Sequence, residues 1–414
     1  MIDFEKASIC AAVSANEMRI AEEYVKAEAT YAHMTKSFGE RADILAAQAS
    51  CLLKLAPGNM SHIYTEAMNW REEPTRYFNN DVHVGHTEKA RVLMNQALHL
   101  DPYDVRIRSL SGLYHTYVHH DYRKAAQEFR TALKINPHSF HTYLNGAYLY
   151  NFAEAEVTEN EAVTWLHYAN RVDPTRPICL ALLAIIYQKA GRVSEAKEKW
   201  AQALSLAVPL EAGVAKEASH FDELQLLVTA NDLRLNKKFA KALAIYQGFP
   251  DIRRRKAALP VADCHSMMFV SSESTSGDVD SIKVLTEAVK DSPNEANLHF
   301  ALADCHMLYT ANFKQGLYHY SEAIRLSPYC SRFLATAASW FTYIPKEVDY
   351  PQQVINWYER SCTLEPDVPY TALGAIHHQS GDEDKAKKSW LKSLLCTIPV
   401  PEESGREIML AMCK

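Results

Sequence analysis

The sequence predicts an all-α protein built from stacked helix pairs, and three observations support this fold class. Glycine is scarce: 13 of 414 residues is about 3%, whereas roughly 7% is average. Because glycine is unfavourable inside helices, its scarcity indicates a helical chain. A small–large–small triad with helical spacing recurs along the chain, and a proline follows most copies at a nearly constant distance. A motif that repeats at a near-constant interval is typical of a solenoid.

The triad has its small residues at positions i and i+7 and its large residue at i+4. Its clearest copies are Ala90/Met94/Ala97, Ala125/Phe129/Ala132, Ala162/Leu166/Ala169 and Ala196/Trp200/Ala203. Degenerate copies begin at Ala242, Ser281, Gly316, Val354 and Ala386, so successive copies are 32 to 46 residues apart. The small residues let two helices approach closely, and the large residue fills the groove between them. Because a proline ends a helix, each triad marks the second helix of a pair.

Two helix pairs show the whole pattern. One runs from Pro177 to Leu206, with Gly191 in its turn, and the other has Gly374 in its first helix and Gly381 in its turn. These residues resemble the tetratricopeptide repeat family over about residues 86–399, and more weakly over helices predicted at 4–14, 17–37 and 41–55. The resemblance implies a right-handed superhelical solenoid of helix-turn-helix repeats. The sequence departs from the family at the turn glycine, which is clear only at Gly191 and Gly381.

Irregularities in the repeat divide the chain into four predicted segments. Residues 1–85 hold atypical N-terminal helices with an insertion at 71–85, and residues 86–209 hold regular repeats. Residues 210–292 hold degenerate repeats with a polar loop at 271–280, and residues 293–414 hold C-terminal repeats and a capping segment.

The family resemblance implies that the first helix of each pair lines a concave groove that holds a peptide or a helix of a partner protein. The lining expected here is apolar, aromatic and neutral, which suits an amphipathic helix or an apolar peptide. The residues expected to contact that partner are Tyr148, Asn151, Ile185, Gln188, Asn231, Arg234, Tyr309, Trp340, Tyr343 and His378. The alternative is a tightly wound solenoid in which these residues pack on one another.

Tetratricopeptide proteins of one well-known kind capture the acidic C-terminus of Hsp70 or Hsp90 with cationic first helices. The segments 139–152 and 296–310 contain no Lys or Arg, which argues against such a partner. The C-terminal stretch Ile408–Cys413 is apolar and is a candidate contact for a homodimer.

No catalytic motif is present: the sequence lacks a Gly-x-Gly-x-x-Gly, a Walker loop, a His-Glu-x-x-His and a Gly-x-Ser-x-Gly. We therefore predict a non-enzymatic scaffold or adaptor without catalytic residues, cofactor or metal. The pair Cys264-His265 recurs as Cys305-His306, and both residue types are common zinc ligands. Repetition of the helix pair explains the recurrence without a metal. The doublets His119-His120 and His377-His378 are interpreted as solvated turn residues.

Two other functions remain open. Residues 86–205 also resemble the C-terminal repeats of bacterial winged-helix transcription activators, which would make the chain a regulatory or sensing protein without its own DNA-binding part. The basic run Arg253–Lys256 offers contacts to RNA, but the net charge of −6 opposes nucleic acid as a partner. Nine cysteines without a C-x-x-C pair, no secretory leader and no apolar run of membrane length predict a cytoplasmic protein.

Overall fold

All regular secondary structure is helical in the part of the chain that the structure, a computed structural model, describes. The described residues are 4–55, 81–250, 256–271, 277–342, 352–365, 371–379, 381–395 and 408. They form 21 α-helices and no β-strand. In chain order, the helices are α1 (Phe4–Ile20), α2 (Tyr24–Phe38), α3 (Ala42–Lys54), α4 (Asp81–Leu100), α5 (Val105–Tyr117), α6 (Tyr122–Ile135), α7 (Phe140–Tyr148), α8 (Glu159–Val172), α9 (Ile178–Lys189), α10 (Val193–Leu204), α11 (Ala212–Ala215), α12 (Gln225–Leu235), α13 (Phe239–Gln247), α14 (Ala258–Val270), α15 (Gly277–Asp291), α16 (Ala296–Tyr309), α17 (Phe313–Leu326), α18 (Ser331–Thr342), α19 (Gln352–Leu364), α20 (Thr371–Gln379) and α21 (Glu383–Leu394).

Consecutive helices pack as hairpins, as the triads predict. The pairs are α1/α2, α3/α4, α5/α6, α9/α10, α12/α13, α14/α15, α16/α17 and α20/α21. The four clearest triads are buried at all three positions, and Phe129 and Trp200 are fully buried. The predicted all-α fold of tetratricopeptide-like helix pairs is therefore confirmed.

The turn inside a hairpin uses left-handed backbone at one residue. Gly191 and Gly381 have φ of 73° and 78°, as expected for the glycine of this turn. His120, Lys237 and Ala311 stand in the corresponding turns with φ of 52°, 56° and 47°. The missing turn glycines are thus replaced by residues that keep the same backbone conformation at an energetic cost.

The described contacts divide the chain into two compact units. Unit 1 comprises residues 1–157 and 341–414, and unit 2 comprises residues 158–340. The four segments predicted from the sequence differ from these two units, because they were defined by the regularity of the repeat. That four-part division stays a prediction.

In unit 1, the first helix packs against the last. Ile9 of α1 and Trp390 of α21 belong to one buried cluster. The turn after α6 contacts the end of α19, since the Asn136 amide donates to the Leu364 carbonyl at 2.9 Å. The backbone N–H of Phe140 donates to the Glu365 carboxylate at 3.1 Å. Ile408, proposed above as a dimer contact, is buried in the α1/α21 cluster, and residues 409–413 lie outside the described part.

In unit 2, the turn after α8 meets the turns before α16 and α18. The Asn297 amide donates to the Pro174 carbonyl at 2.9 Å. The buried Asp173 carboxylate lies 3.0 Å from Arg176 and 3.6 Å from Arg332. The Asn297–Pro174 and Arg332–Asp173 contacts join residues more than 120 positions apart, so unit 2 is held together by more than neighbouring hairpins.

The helices in the described ranges are too short or too polar to cross a membrane. The seven cysteines in those ranges form no disulfide.

Candidate binding surface

Two first helices, α3 and α9, are buried on all faces, so they leave no apolar face open to a partner. Every residue from Cys179 to Tyr187 in α9 is buried, as is every residue from Ile44 to Leu53 in α3. Ile185, predicted to contact a partner, keeps only 9% of its surface exposed. Along α9, therefore, the chain's own side chains occupy the predicted apolar lining.

Asn231 and Arg234 of α12 bind the chain itself. The fully buried Asn231 amide donates to the Leu210 carbonyl at 2.6 Å and accepts from the Leu210 N–H at 2.8 Å. Arg234 donates to the Leu206 carbonyl at 3.2 Å and pairs with Asp263 of α14 at 2.8 Å. Burial raises the pKa of the Asp263 carboxyl, and the Arg234 guanidinium opposes that rise. Both side chains are thus bound within the chain, and their contact with a partner stays a prediction.

Tyr148 and Asn151 lie together at the end of α7. The Asn151 amide donates to the Tyr148 carbonyl at 3.1 Å, and the Tyr148 ring contacts Phe152 with 5.5 Å between centroids. Burial raises the pKa of the Tyr148 hydroxyl to about 12. Both side chains are half-buried, so only part of their surface is accessible to a partner.

Gln188 and His378 are two further residues that the sequence predicts to contact a partner. Gln188 is half-buried, and its Oε1 accepts no hydrogen bond from the described residues. The His378 Nδ1 lies 2.7 Å from the Glu383 carboxylate, and its ring contacts Trp390. Tyr343 and Arg253–Arg255 lie outside the described residues.

Tyr309 belongs to an exposed apolar patch, which we call the α14/α16 patch and define as Met267, Phe269, Val270, Leu308 and Tyr309. The Phe269 and Tyr309 rings meet edge to face at 5.3 Å, so the ends of the two first helices adjoin. Val270 is 65% exposed and Leu308 is 55% exposed. The patch therefore offers bulky apolar side chains, two of them mostly exposed, beside a fixed aromatic pair.

Trp340 of α18 is oriented by a hydrogen bond to Asp304, a half-buried residue of α16. Its indole N–H donates to the Asp304 carboxylate at 3.3 Å, and the Tyr320 hydroxyl donates to the same oxygen. Burial raises the pKa of the Asp304 carboxyl to about 6, against the effect of both hydrogen bonds. The Phe300 and Phe333 rings stack at 4.6 Å and further join α16 to α18. Trp340 is thus a half-buried aromatic side chain held in one orientation.

Unit 1 contains a cavity that the sequence did not predict. Its volume is about 1090 Å³, which is in the range of small-molecule sites. Lys387, Lys388 and Lys392 of α21 line one wall, and Ser8 of α1 lines another. The Ser8 hydroxyl is buried and has no hydrogen-bond partner among the described residues. The lining comes from segments up to 384 positions apart, so no local pattern signals it.

Comparisons with known proteins find distant likenesses to solved structures. No protein-family model and no curated protein matches the sequence. Yeast Tom70 is 14% identical, with 99% of this chain and 95% of Tom70 covered and a TM-score of 0.38. A Naa15/Naa10 structure bound to HypK-THB is 13% identical, with 92% and 68% covered and a TM-score of 0.33. A human IFIT1 dimer with PPP-AAAA is 13% identical, with 85% and 90% covered and a TM-score of 0.31. The packed hairpins and buried triads of the structure itself support the resemblance to tetratricopeptide repeats.

Proposed function

We propose that this chain is a non-enzymatic scaffold that binds a segment of a partner protein on the α14/α16 patch. The observation that supports the proposal is the exposure of Val270 and Leu308 next to the Phe269–Tyr309 ring pair. Exposed apolar side chains at the ends of two adjoining helices are typical of a protein-binding surface. The absence of disulfides among the described cysteines fits the proposed cytoplasmic setting.

The bound segment is apolar or amphipathic in this proposal. Its apolar side chains would cover Val270 and Leu308 and remove them from water, at roughly 25 cal/mol per Å² of apolar surface. Tyr309 would act as an anchor, because large rigid aromatic side chains contribute much binding energy at little entropic cost. Trp340, oriented by Asp304, would act as a second anchor.

A site-specific crosslinking experiment tests the proposal. A photoreactive residue replaces Leu308 in one variant and Leu226 of α12 in a matched variant. Leu226 is 53% exposed, against 55% for Leu308, but lies outside the patch. We expect one discrete crosslinked partner from position 308 and none from position 226. Equal crosslinking from both positions, or none from either, would contradict the proposal.

A substitution experiment measures the energetic role of the anchors. Tyr309→Ala combined with Trp340→Ala should abolish capture of the partner found by crosslinking. Tyr168→Ala removes an aromatic residue of α8 that is 45% exposed and lies outside the patch, and it should leave capture unchanged. A helical circular dichroism spectrum that matches wild type would show that the double variant is folded. Retained capture by that folded variant would show that the anchors are assigned to the wrong residues.

A further inference from the structure

The turn between α5 and α6 brings together three metal-ligating side chains. They are His115, His119 and Asp121, whose ligand atoms all lie within 4.8 Å of one another. His115 is in the last turn of α5, and His119 lies two residues beyond the end of that helix, in the turn that leads to α6. Asp121 is the residue that caps the start of α6.

We infer that this turn binds a divalent transition-metal ion, Zn²⁺ in the first place, through two imidazoles and one carboxylate. The two rings lie 5.9 Å apart between centroids at an angle of 77°. Zinc binds imidazole nitrogen and carboxylate oxygen at about 2.0–2.2 Å. In tetrahedral geometry, two ligand atoms of one zinc ion lie about 3.3–3.6 Å apart, so the exposed His119 and Asp121 side chains must rotate toward His115 to close the site.

The second, independent observation is an unsatisfied nitrogen. His115 is only 5% exposed, and its buried Nδ1 has no hydrogen-bond partner among the described residues. A buried polar atom without a partner is unfavourable and calls for a specific explanation. Coordination of a metal ion by this nitrogen would supply the missing partner.

The Asp121 carboxylate is held in a defined orientation at the start of α6. Asp121 accepts from the Lys124 backbone N–H through Oδ1 at 3.1 Å, which orients the carboxylate and leaves Oδ2 outside the cap.

Charges around the turn partly balance. The cations that act on His115 are Lys124 and Arg91. Arg91 is paired with Glu88 of the same helix, α4, and Glu88 also interacts with His119 electrostatically. The negative charges of Asp121 and Glu88 offset the positive charges of Lys124 and Arg91. Electrostatic repulsion therefore does not prevent a divalent cation from binding. Three protein ligands leave at least one coordination position for water or for a group of another molecule.

The test uses the full chain, freed of metal with a chelator and titrated with ZnCl₂ in a calorimeter and with CoCl₂ in a spectrophotometer. We expect one zinc per chain and visible Co²⁺ absorption bands of four- or five-coordinate geometry. His119→Ala should weaken zinc binding about tenfold or more, because it removes an exposed ligand. Asp121→Asn should also weaken it while keeping a helix cap, since asparagine caps as well as aspartate does.

The matched control is His120→Asn, which changes the neighbouring histidine outside the cluster. Asparagine tolerates the left-handed backbone at this residue, where φ is 52°, so the turn should keep its shape. His120→Asn should bind zinc as wild type does. Either no zinc binding by wild type at micromolar concentrations, or equal binding by wild type and His119→Ala, would overturn the inference.

Discussion

Replacement of Lys237 by glycine should stabilise the protein, because the turn between α12 and α13 has the backbone of a glycine turn. Lys237 has φ of 56°, against 73° for Gly191 in the turn between α9 and α10. In both turns the next residue's N–H bonds to the carbonyl five positions back, Lys238 to Leu233 at 2.8 Å and Arg192 to Tyr187 at 2.8 Å. The two turns thus share one geometry with different residues.

The expected magnitude follows from two opposing terms. Left-handed backbone costs an ordinary residue roughly 1–2 kcal/mol, and glycine removes this cost. Glycine makes the unfolded chain more flexible, which costs roughly 0.5–1 kcal/mol. Lys237 is exposed and no ion pair of its ammonium is seen in the described structure, so the side chain adds little. Lys237→Gly should therefore stabilise unit 2 by about 0.5–1 kcal/mol.

Native-state hydrogen exchange of the α12 and α13 amides is the assay, because repeat proteins often unfold in parts and a global midpoint averages over them. Lys241→Gly is the matched control, since Lys241 is an exposed lysine inside α13. It should lower protection by about 0.5–1 kcal/mol, as glycine does in a helix interior. The reasoning is refuted if Lys237→Gly lowers protection, or if the two variants behave alike.

Three further predictions follow from buried groups. Arg234→Ala should destabilise unit 2 by about 2–4 kcal/mol, because it removes the partner of the Asp263 carboxylate and of the Leu206 and Ala207 carbonyls. Arg234→Met with Asp263→Leu should recover part of the loss in urea unfolding. The folded pKa of Asp304, about 6, lies above its unfolded value near 3.9, so the protonated carboxyl favours the fold. Wild type should lose about 2 kcal/mol of stability relative to Asp304→Asn as pH rises from 4 to 7, and parallel pH profiles of stability in the two proteins would show that the carboxyl is not perturbed. Gly112→Ala should destabilise unit 1 by about 1–2 kcal/mol although alanine favours helices, because the added Cβ would lie 2.6 Å from Cε1 of the buried Phe129 ring; an increase in melting temperature would contradict this.

Local periodicity made the hairpins predictable. Ala125, Phe129 and Ala132 share one face of α6 by spacing alone, and all three are fully buried. Gly374 packs so closely on Trp390 that a Cβ there would lie 2.8 Å from Cε2 of the indole, as its place in the repeat pattern predicted. Such features depend on residues fewer than 20 positions apart, and sequence spacing reports them directly.

The side chains of the predicted groove depended on contacts that spacing does not report. The pattern placed Ile185 and Asn231 on first helices but gave no sign of what covers them. Asn231 is buried because the irregular segment after α10 passes over it and offers both backbone groups of Leu210. Tyr309 stays half-buried because Phe269 contacts one edge of its ring. Whether a first-helix residue faces a partner is thus decided by segments outside the repeat motif.

The packing of α1 against α21 shows why chain ends were the hardest part to predict. A solenoid's last repeat has an apolar face with no following repeat to cover it, and most repeat proteins solve this with a polar capping helix. Here Trp390 and Leu394 of α21 are buried in one cluster with Ile9 and Val13 of α1. The N-terminal helix therefore performs the role of a C-terminal cap. Because this contact joins residues about 380 positions apart, its loop-closure entropy is large, and we expect α1 and α21 to dock after the hairpins of unit 1 have formed.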